Sequence, residues 1–459
     1  MQVHERHHES TMVLILVMFT SFITPFIGSA INLALPMIGE EFGLNAITMS
    51  WVTMAFLLSS AVLLVPVGKL ADIYGRKKIF LTGNVILSIS SLLAIASPNG
   101  AVLILLRVVQ GIGSSMMFAT GIALITSVFP PHERGRAIGM NVTAVYIGLS
   151  AAPVIGGILI DTLGWHSLFY IPALMGIGAV IAAVYFIKGE WAEAQNEKFD
   201  LKGSIVFVLS MSIMMYGFSK LPTPVAIVLT VAGLAGLTLF VKMQTKAKYP
   251  LLNVTLFRTN RLFALSNLAA LINYATTFAI TFVLSLYLQY IKGLSPRSAG
   301  LLLILQPLVM AVTASWSGRL SDKHDPRILA SAGMAVIAIG LAMLIPIGAD
   351  TTLAYLGAVL SLLGLGFGMF SSPNTNAIMG SVEKRYIGLA SGTVATMRLV
   401  GQMLSMGIAT MVIHVFIGTA TINPSNYKQF IHSAGTIFVV FTVLSLFGIW
   451  ASLARNKKQ

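Results

Sequence analysis

Residues 68–78 read GKLADIYGRKK. Five of these eleven residues are charged, in a chain where Asp, Glu, Lys and Arg together make up only 10%. The stretch is wedged between two apolar runs, 49–68 and 79–97. Similar runs recur from end to end, most of them ~20 residues and long enough to cross a hydrocarbon core of ~30 Å. The hydrophobic share is 56% and the mean hydropathy +0.87, well above a soluble domain. The chain reads as an all-α polytopic membrane protein, because a backbone in lipid must satisfy its own hydrogen bonds. A barrel would show alternating segments of ~10 residues, and these runs are uniformly apolar.

Fourteen spans follow from the runs: 12–35, 49–68, 79–97, 102–128, 137–161, 166–187, 203–219, 224–241, 262–291, 298–318, 328–347, 352–378, 388–416 and 434–454. The first has a basic, His-rich lead (HERHH, 4–8) but is too long for a signal peptide, so it is kept as a span. Basic residues set the orientation. With this layout, 23 of the 29 Lys and Arg fall on one side, four (Lys220, Lys292, Arg297, Lys428) on the other, and Arg107 and Arg398 inside spans. That places both termini in the cytoplasm of a cell-membrane protein. The net charge of +14 is then topology plus attraction to anionic lipid, with no nucleic-acid partner required. The N-x-T sites at Asn141 and Asn253 fall in a span and on the cytoplasmic side, which fits a prokaryotic source. There is no cysteine, so thiol chemistry is excluded.

The opening stretch has an echo, GRLSDKHDPR at 318–327, which aligns Gly68 with Gly318 and Asp72 with Asp322. A second echo joins RGRAIG (134–139) to YIGLASG (386–392) at nearly the same offset. These imply a duplicated design: an N-terminal six-helix bundle (1–187), linkers with two inserted helices (188–261), and a C-terminal six-helix bundle (262–459). Repeats of this kind hold cargo between the halves near the midplane.

Three motifs in register carry a resemblance. GKLADIYGRKK is similar to the cytoplasmic signature loop of the major facilitator superfamily, LLRVVQGIGSS (105–115) to its Arg-and-Gln motif, and GLSAAPVIGG (148–157) to the motif of its antiporters. NLALPMI (32–38), YLQYIKGLSPRSAG (287–300) and GLASGTVATMRLVGQ (388–402) resemble the fourteen-helix drug:proton antiporter family over essentially the whole chain. The resemblance implies alternating access. The charged loop (Gly68, Lys69, Asp72, Gly75, Arg76, Lys77) would be a conformational lock in which Asp72 and Arg76 bridge the halves in the outward-facing state and release for the inward-facing one. Gly148, Pro153, Gly156 and Gly157 would form a small-residue packing face that seals them. Arg107 and Gln110, one turn apart in a span where a lone charge is costly, would join Asp161 and His414 as coupling candidates. Asn32, Gln110, Asn273, Tyr274, Gln306, Arg398 and Gln402 would be polar anchors in a cavity otherwise lined by Phe, Met and Leu. The glycines of GLGFGMF (364–370) read as a packing face, not a phosphate loop.

One departure matters. None of the fifteen acidic residues falls mid-span, and Ile27 stands where many relatives have Asp in the first helix. Proton coupling and cation recognition are normally assigned to such carboxylates. The reading is a monomeric exporter of small amphiphilic organic compounds by exchange with protons, without cofactor or metal. The alternative is an exporter of one endogenous metabolite or lipid-like anion with weaker or different ion coupling. No zinc-protease or nucleophile-elbow motif supports an enzyme.

Overall fold

The computed structural model describes residues 2–455 except 131–132, 196, 253, 322 and 384–386. The sequence readings at Asn253, Asp322, Lys384, Arg385, Lys457 and Lys458 lie outside the described residues, as do the side chains of residues 2–8.

Among the described residues, fourteen helices are long and apolar enough to cross a membrane: α1 Glu9–Phe42, α2 Ala46–Tyr74, α3 Arg76–Ile95, α4 Gly100–Val128, α5 Arg136–Leu163, α6 Trp165–Phe186, α7 Leu201–Ser219, α8 Pro224–Lys246, α9 Arg261–Ile291, α10 Pro296–Ser321, α11 Pro326–Leu344, α12 Leu353–Gly380, α13 Ala390–Ile417 and α14 Pro424–Leu453. All fourteen expected spans are present. Most helices overrun the apolar run that announced them, because a helix continues past the lipid wherever it can be capped. The last begins ten residues before the expected 434. There Asn423 and Asn426 form a reciprocal capping box with Pro424 in the first turn, a polar start that hydropathy cannot register.

Helices α1–α6 pack chiefly on one another, as do α9–α14, and we call these the N-terminal and C-terminal sets. The two sets meet along two seams, α5 against α10 and α2 against α13. The hairpin α7–α8 lies over the second seam, where Tyr216 meets Trp51 of α2 and Phe218 reaches Gly407 of α13. We call the end of the bundle carrying Lys69 to Lys78, Arg134, Arg327 and Arg455 its basic face.

Proline explains the break in α10. Pro307 has no N–H for the Leu303 carbonyl, and α10 breaks at Ile304. Gly364 of α12 packs against the Gln306 carbonyl at that break, while Gly366 and Gly368 meet α11 and α10. The GLGFGMF glycines therefore form a packing face, as the sequence implies.

Candidate functional site

The charged stretch is mostly helix, not loop. α2 runs through Gly68 and Asp72 to Tyr74, and the whole turn is Gly75, at φ +119°, a conformation that favours glycine. Arg76 then opens α3. Its guanidinium is buried; Nε and Nη2 donate to Asp72 Oδ1 at 2.9 and 2.8 Å, and Nη1 donates to Glu193 Oε1 at 2.8 Å and Ser127 Oγ at 2.7 Å. Lys69 pairs with Glu197, and Lys77 Nζ donates to the Ile187 carbonyl. Glu190 accepts from the backbone N–H groups of Lys77 and Lys78 at 2.9 and 3.2 Å, a favoured place for a carboxylate, at a helix N-terminus. Backbone bonds from Arg76 N to Trp191 O and from Ala194 N to Asp72 O, both 2.9 Å, complete the strap.

The expected bridge from Asp72 and Arg76 to the other set is thus absent among the described residues. Asp72 pairs with Arg76 of α3, and Arg76 is held further by Ser127 of α4 and Glu193 of the segment after α6. Gly68 needs no special account: a side chain there would meet only Ala119, at 3.9 Å. Arg76→Ala removes the buried cation that joins Asp72, Ser127 and Glu193. Transport is expected to fall at least about tenfold, equivalent to 1.4 kcal/mol, with membrane insertion intact. Parent-level transport in both Arg76→Ala and Asp72→Asn would remove the motif from the working cycle.

Arg107 is fully buried two turns into α4. Nε donates to Val52 O at 2.9 Å, Nη1 to Gln110 Oε1 at 2.8 Å, and the guanidinium carbon lies 4.4 Å from the Phe56 ring centroid. Gln110 donates in turn to Ser91 Oγ at 3.0 Å. Gln110 is therefore not a cavity residue; its amide is spent orienting Arg107. Asp161 is exposed at the far end of α5, and His414 sits near the same end of α13 with Nδ1 unpartnered. Only Arg107 and Gln110 of the four coupling candidates touch.

On the face opposite the basic one, the two sets are sealed. Pro36 cannot donate to the Asn32 carbonyl, and Ser285 of α9 fills the gap, its Oγ donating to Asn32 O at 2.8 Å. Gln289 Nε2 donates to the neighbouring Leu33 O at 3.1 Å. The Asn32 side chain accepts from Thr53 Oγ1 at 2.9 Å, so one residue ties α1 to both α2 and α9. Ser285→Ala leaves a buried carbonyl without a donor, about 1 kcal/mol, or roughly fivefold in the equilibrium of this seam. A Thr281→Cys reporter in the cavity should then label about fivefold faster from this face; an unchanged rate would show the bond to be idle.

The small residues of α5 serve two neighbours instead of one. Gly148 and Gly156 face α1, where a methyl on Gly156 would lie 2.8 Å from Ala30 Cβ. Gly157 and Pro153 face α10: a methyl on Gly157 would lie 2.8 Å from Pro296 O, and one on Gly300 would overlap Pro153 O. Helical rotation of ~100° per residue separates the two faces.

Between the sets is a cavity with a mostly apolar lining. Of the expected cavity residues, Asn32, Tyr274, Gln306, Arg398 and Gln402 lie in its lining, with Ser29, Thr277 and Thr281 adding hydroxyls. Asn273 does not; it lies ~100° around α9 from Tyr274, fully buried with both amide atoms unpartnered. Among the described residues Arg398 is the one charge in the lining. It forms no ion pair or hydrogen bond there, and only stacks over the Phe118 ring, 5.0 Å from its centroid. Tyr146, Phe278 and Phe367 supply flat apolar walls, and Tyr146 hydrogen-bonds Ser371 across the two sets.

Sequence reasoning missed Tyr146, Ser371, Phe118, Ser285 and Gln289. For Ser285 a signal existed: a proline four residues after Asn32 announces an orphaned carbonyl.

The family model described as Major Facilitator Superfamily matches residues 17–406 and 267–458. The riboflavin transporter RibZ of Clostridioides difficile is 32% identical over 387 residues, covering 84% of each chain. The multidrug resistance protein Stp of Mycobacterium tuberculosis (strain CDC 1551 / Oshkosh) is 28% identical, covering 86% of this chain and 74% of the relative. The tetracenomycin C resistance and export protein of Streptomyces glaucescens is also 28% identical, covering 82% and 71%. Two helix sets meeting at a central cavity, with these matches along the chain, identify a transporter and not an enzyme: the protein belongs to the major facilitator superfamily.

Proposed function

We propose that this protein is a secondary active exporter of small planar organic compounds that are neutral or anionic, with the basic face in the cytoplasm and protons as the exchanged ion. The carrying observation is Arg398, exposed to the cavity without a counter-ion and surrounded by amides, hydroxyls and aromatic rings. Aromatic walls hold flat ligands, and a free guanidinium favours a carboxylate or a polarised carbonyl. Compounds of flavin type meet both demands, a reading supported by the relative named as a riboflavin transporter. The relatives named for drug resistance and export support the outward direction.

The residue roles belong to the same proposal. Asn32, Gln306 and Gln402 orient the cargo, while Asp72, Arg76 and the α5 glycines govern the change of state. The sets act as two bodies with boundaries near 187 and 262, working as a monomer. With no carboxylate among the described residues of the cavity lining, the exchanged proton is carried by Asp161, His414 or the cargo's own ionisable group.

The test is transport into inverted membrane vesicles, with and without an imposed pH gradient, using riboflavin and matched cationic, neutral and anionic aromatics. Gradient-dependent uptake of the neutral and anionic members supports the reading. Uptake dominated by dications would overturn it, and uptake indifferent to the gradient would remove the proton.

A further inference from the structure

Two prolines stand in the cavity lining, Pro153 of α5 and Pro307 of α10. A proline has no N–H for the carbonyl four residues earlier, and its ring pushes that carbonyl out of line. The carbonyls released are those of Leu149 and Leu303, and both of these residues also line the cavity. Residues four apart share a helix face, so each carbonyl is carried on the cavity side of its helix. The two sites are neighbours along one seam. Ser150 Oγ of α5 donates to Pro307 O at 3.3 Å, and Gly300 of α10 packs on Pro153 O. A third carbonyl of this kind is treated differently. Pro36 releases Asn32 O, and Ser285 Oγ donates to it at 2.8 Å. Among the described residues, no side chain donates to Leu149 O or Leu303 O.

We infer that the Leu149 and Leu303 carbonyls are acceptors that read an N–H on the cargo, which makes the cargo a planar imide or lactam. The acceptor pair rests on the proposed reading of this cavity as the cargo site. Hydroxyls and side-chain amides can turn to donate or accept, so they discriminate weakly between cargo groups. A backbone carbonyl only accepts, and the helix fixes its direction. Leaving such a group without a donor is costly once water is excluded, so a cargo that supplies an N–H is selected over one that cannot. An imide carries one N–H flanked by two carbonyls. Its N–H suits a proline-released carbonyl, and its own carbonyls suit the Arg398 guanidinium and the amide N–H groups of Gln306 and Gln402. A metal cation would also suit a pair of carbonyls, but Arg398 repels it, and no carboxylate among the described lining residues offsets that repulsion.

The test is equilibrium binding to the purified chain in lipid nanodiscs, read by ligand fluorescence. The probes are riboflavin and naphthalimide, each with its imide N–H free and with that nitrogen methylated. Each N–H form should bind the parent at least about tenfold more tightly than its methylated form. Pro153→Ala and Pro307→Ala each return a backbone N–H to the released carbonyl. In the double variant the ratio should fall to about one, chiefly because the N–H form loses affinity. Pro66→Ala, in α2 and outside the lining, should keep the parent ratio. Equal binding of the two forms by the parent, or a parent-like ratio in the double variant, would overturn the acceptor pair and leave the planar-cargo reading in place. Failure of both probes to bind the parent in either form would overturn both. The parent comparison needs no substitution, so it decides the matter even where the double variant does not fold.

Discussion

Gly300→Ala is expected to abolish most transport while leaving the protein inserted and folded. A methyl on Gly300 would overlap the carbonyl oxygen of Pro153 on α5. The obstacle is backbone on a helix whose Gly157 is itself against α10. No side chain can swing aside, so the seam must widen. Overpacking costs typically about 1–3 kcal/mol even where side chains can adjust, and here the closed form alone bears it. At about 1.4 kcal/mol per tenfold, at least a tenfold bias toward the open seam follows. Labelling of Thr281→Cys from the face opposite the basic one should rise at least tenfold, with turnover falling in step. Gly139→Ala, also in α5, is the control: nothing lies within 4 Å of a methyl there, and a helical Gly-to-Ala change is mildly stabilising. Normal turnover and labelling in Gly300→Ala would mean that α5 and α10 do not meet in the membrane.

Arg398→Ala is expected to reverse the charge preference of the cavity. Each positive charge on a cargo held about 8 Å from this guanidinium is disfavoured by roughly 2 kcal/mol at an effective dielectric of ~20. That is about thirtyfold per charge. A carboxylate gains instead, since hydrogen bonds to charged groups contribute about 1.5–3 kcal/mol. Arg107, the other arginine within a span, takes no part, because it is buried under Phe56 and bonded to Val52 and Gln110. In competition assays the variant should lose at least tenfold in apparent affinity for anionic compounds and gain for matched cations, with neutral analogues least changed. Arg398→Lys should keep the sign of the preference but lose affinity for planar carboxylates, which need the guanidinium fork. An unchanged order of anion, neutral and cation in Arg398→Ala would show that the charge is not read.

By itself the sequence determined the fold class and the fourteen spans, and it named five of the polar residues that line the cavity. Those properties are local: apolar length decides what crosses a membrane, and an amide or arginine among apolar neighbours must face a cavity, a partner or the helix interior. Which of these it faces is decided only by rotation and neighbours. Asn32 and Gln402 reach the cavity, whereas Gln110 is claimed by Arg107 and Asn273 is turned away. The signature stretch shows the same division. Its charges and the Asp72–Arg76 spacing could be read from the chain, but Glu193 and Glu197, which pair with Arg76 and Lys69, lie more than a hundred residues on. The glycines of α5 could be read as points of close approach, yet only the packing assigns Gly148 and Gly156 to α1 and Gly157 to α10. Tyr146, Ser371 and Phe118 carry no signal in sequence, because an aromatic or hydroxyl residue in a long apolar helix is ordinary. Their significance comes from the crossing of two helix sets, a relation between distant segments that no local pattern contains.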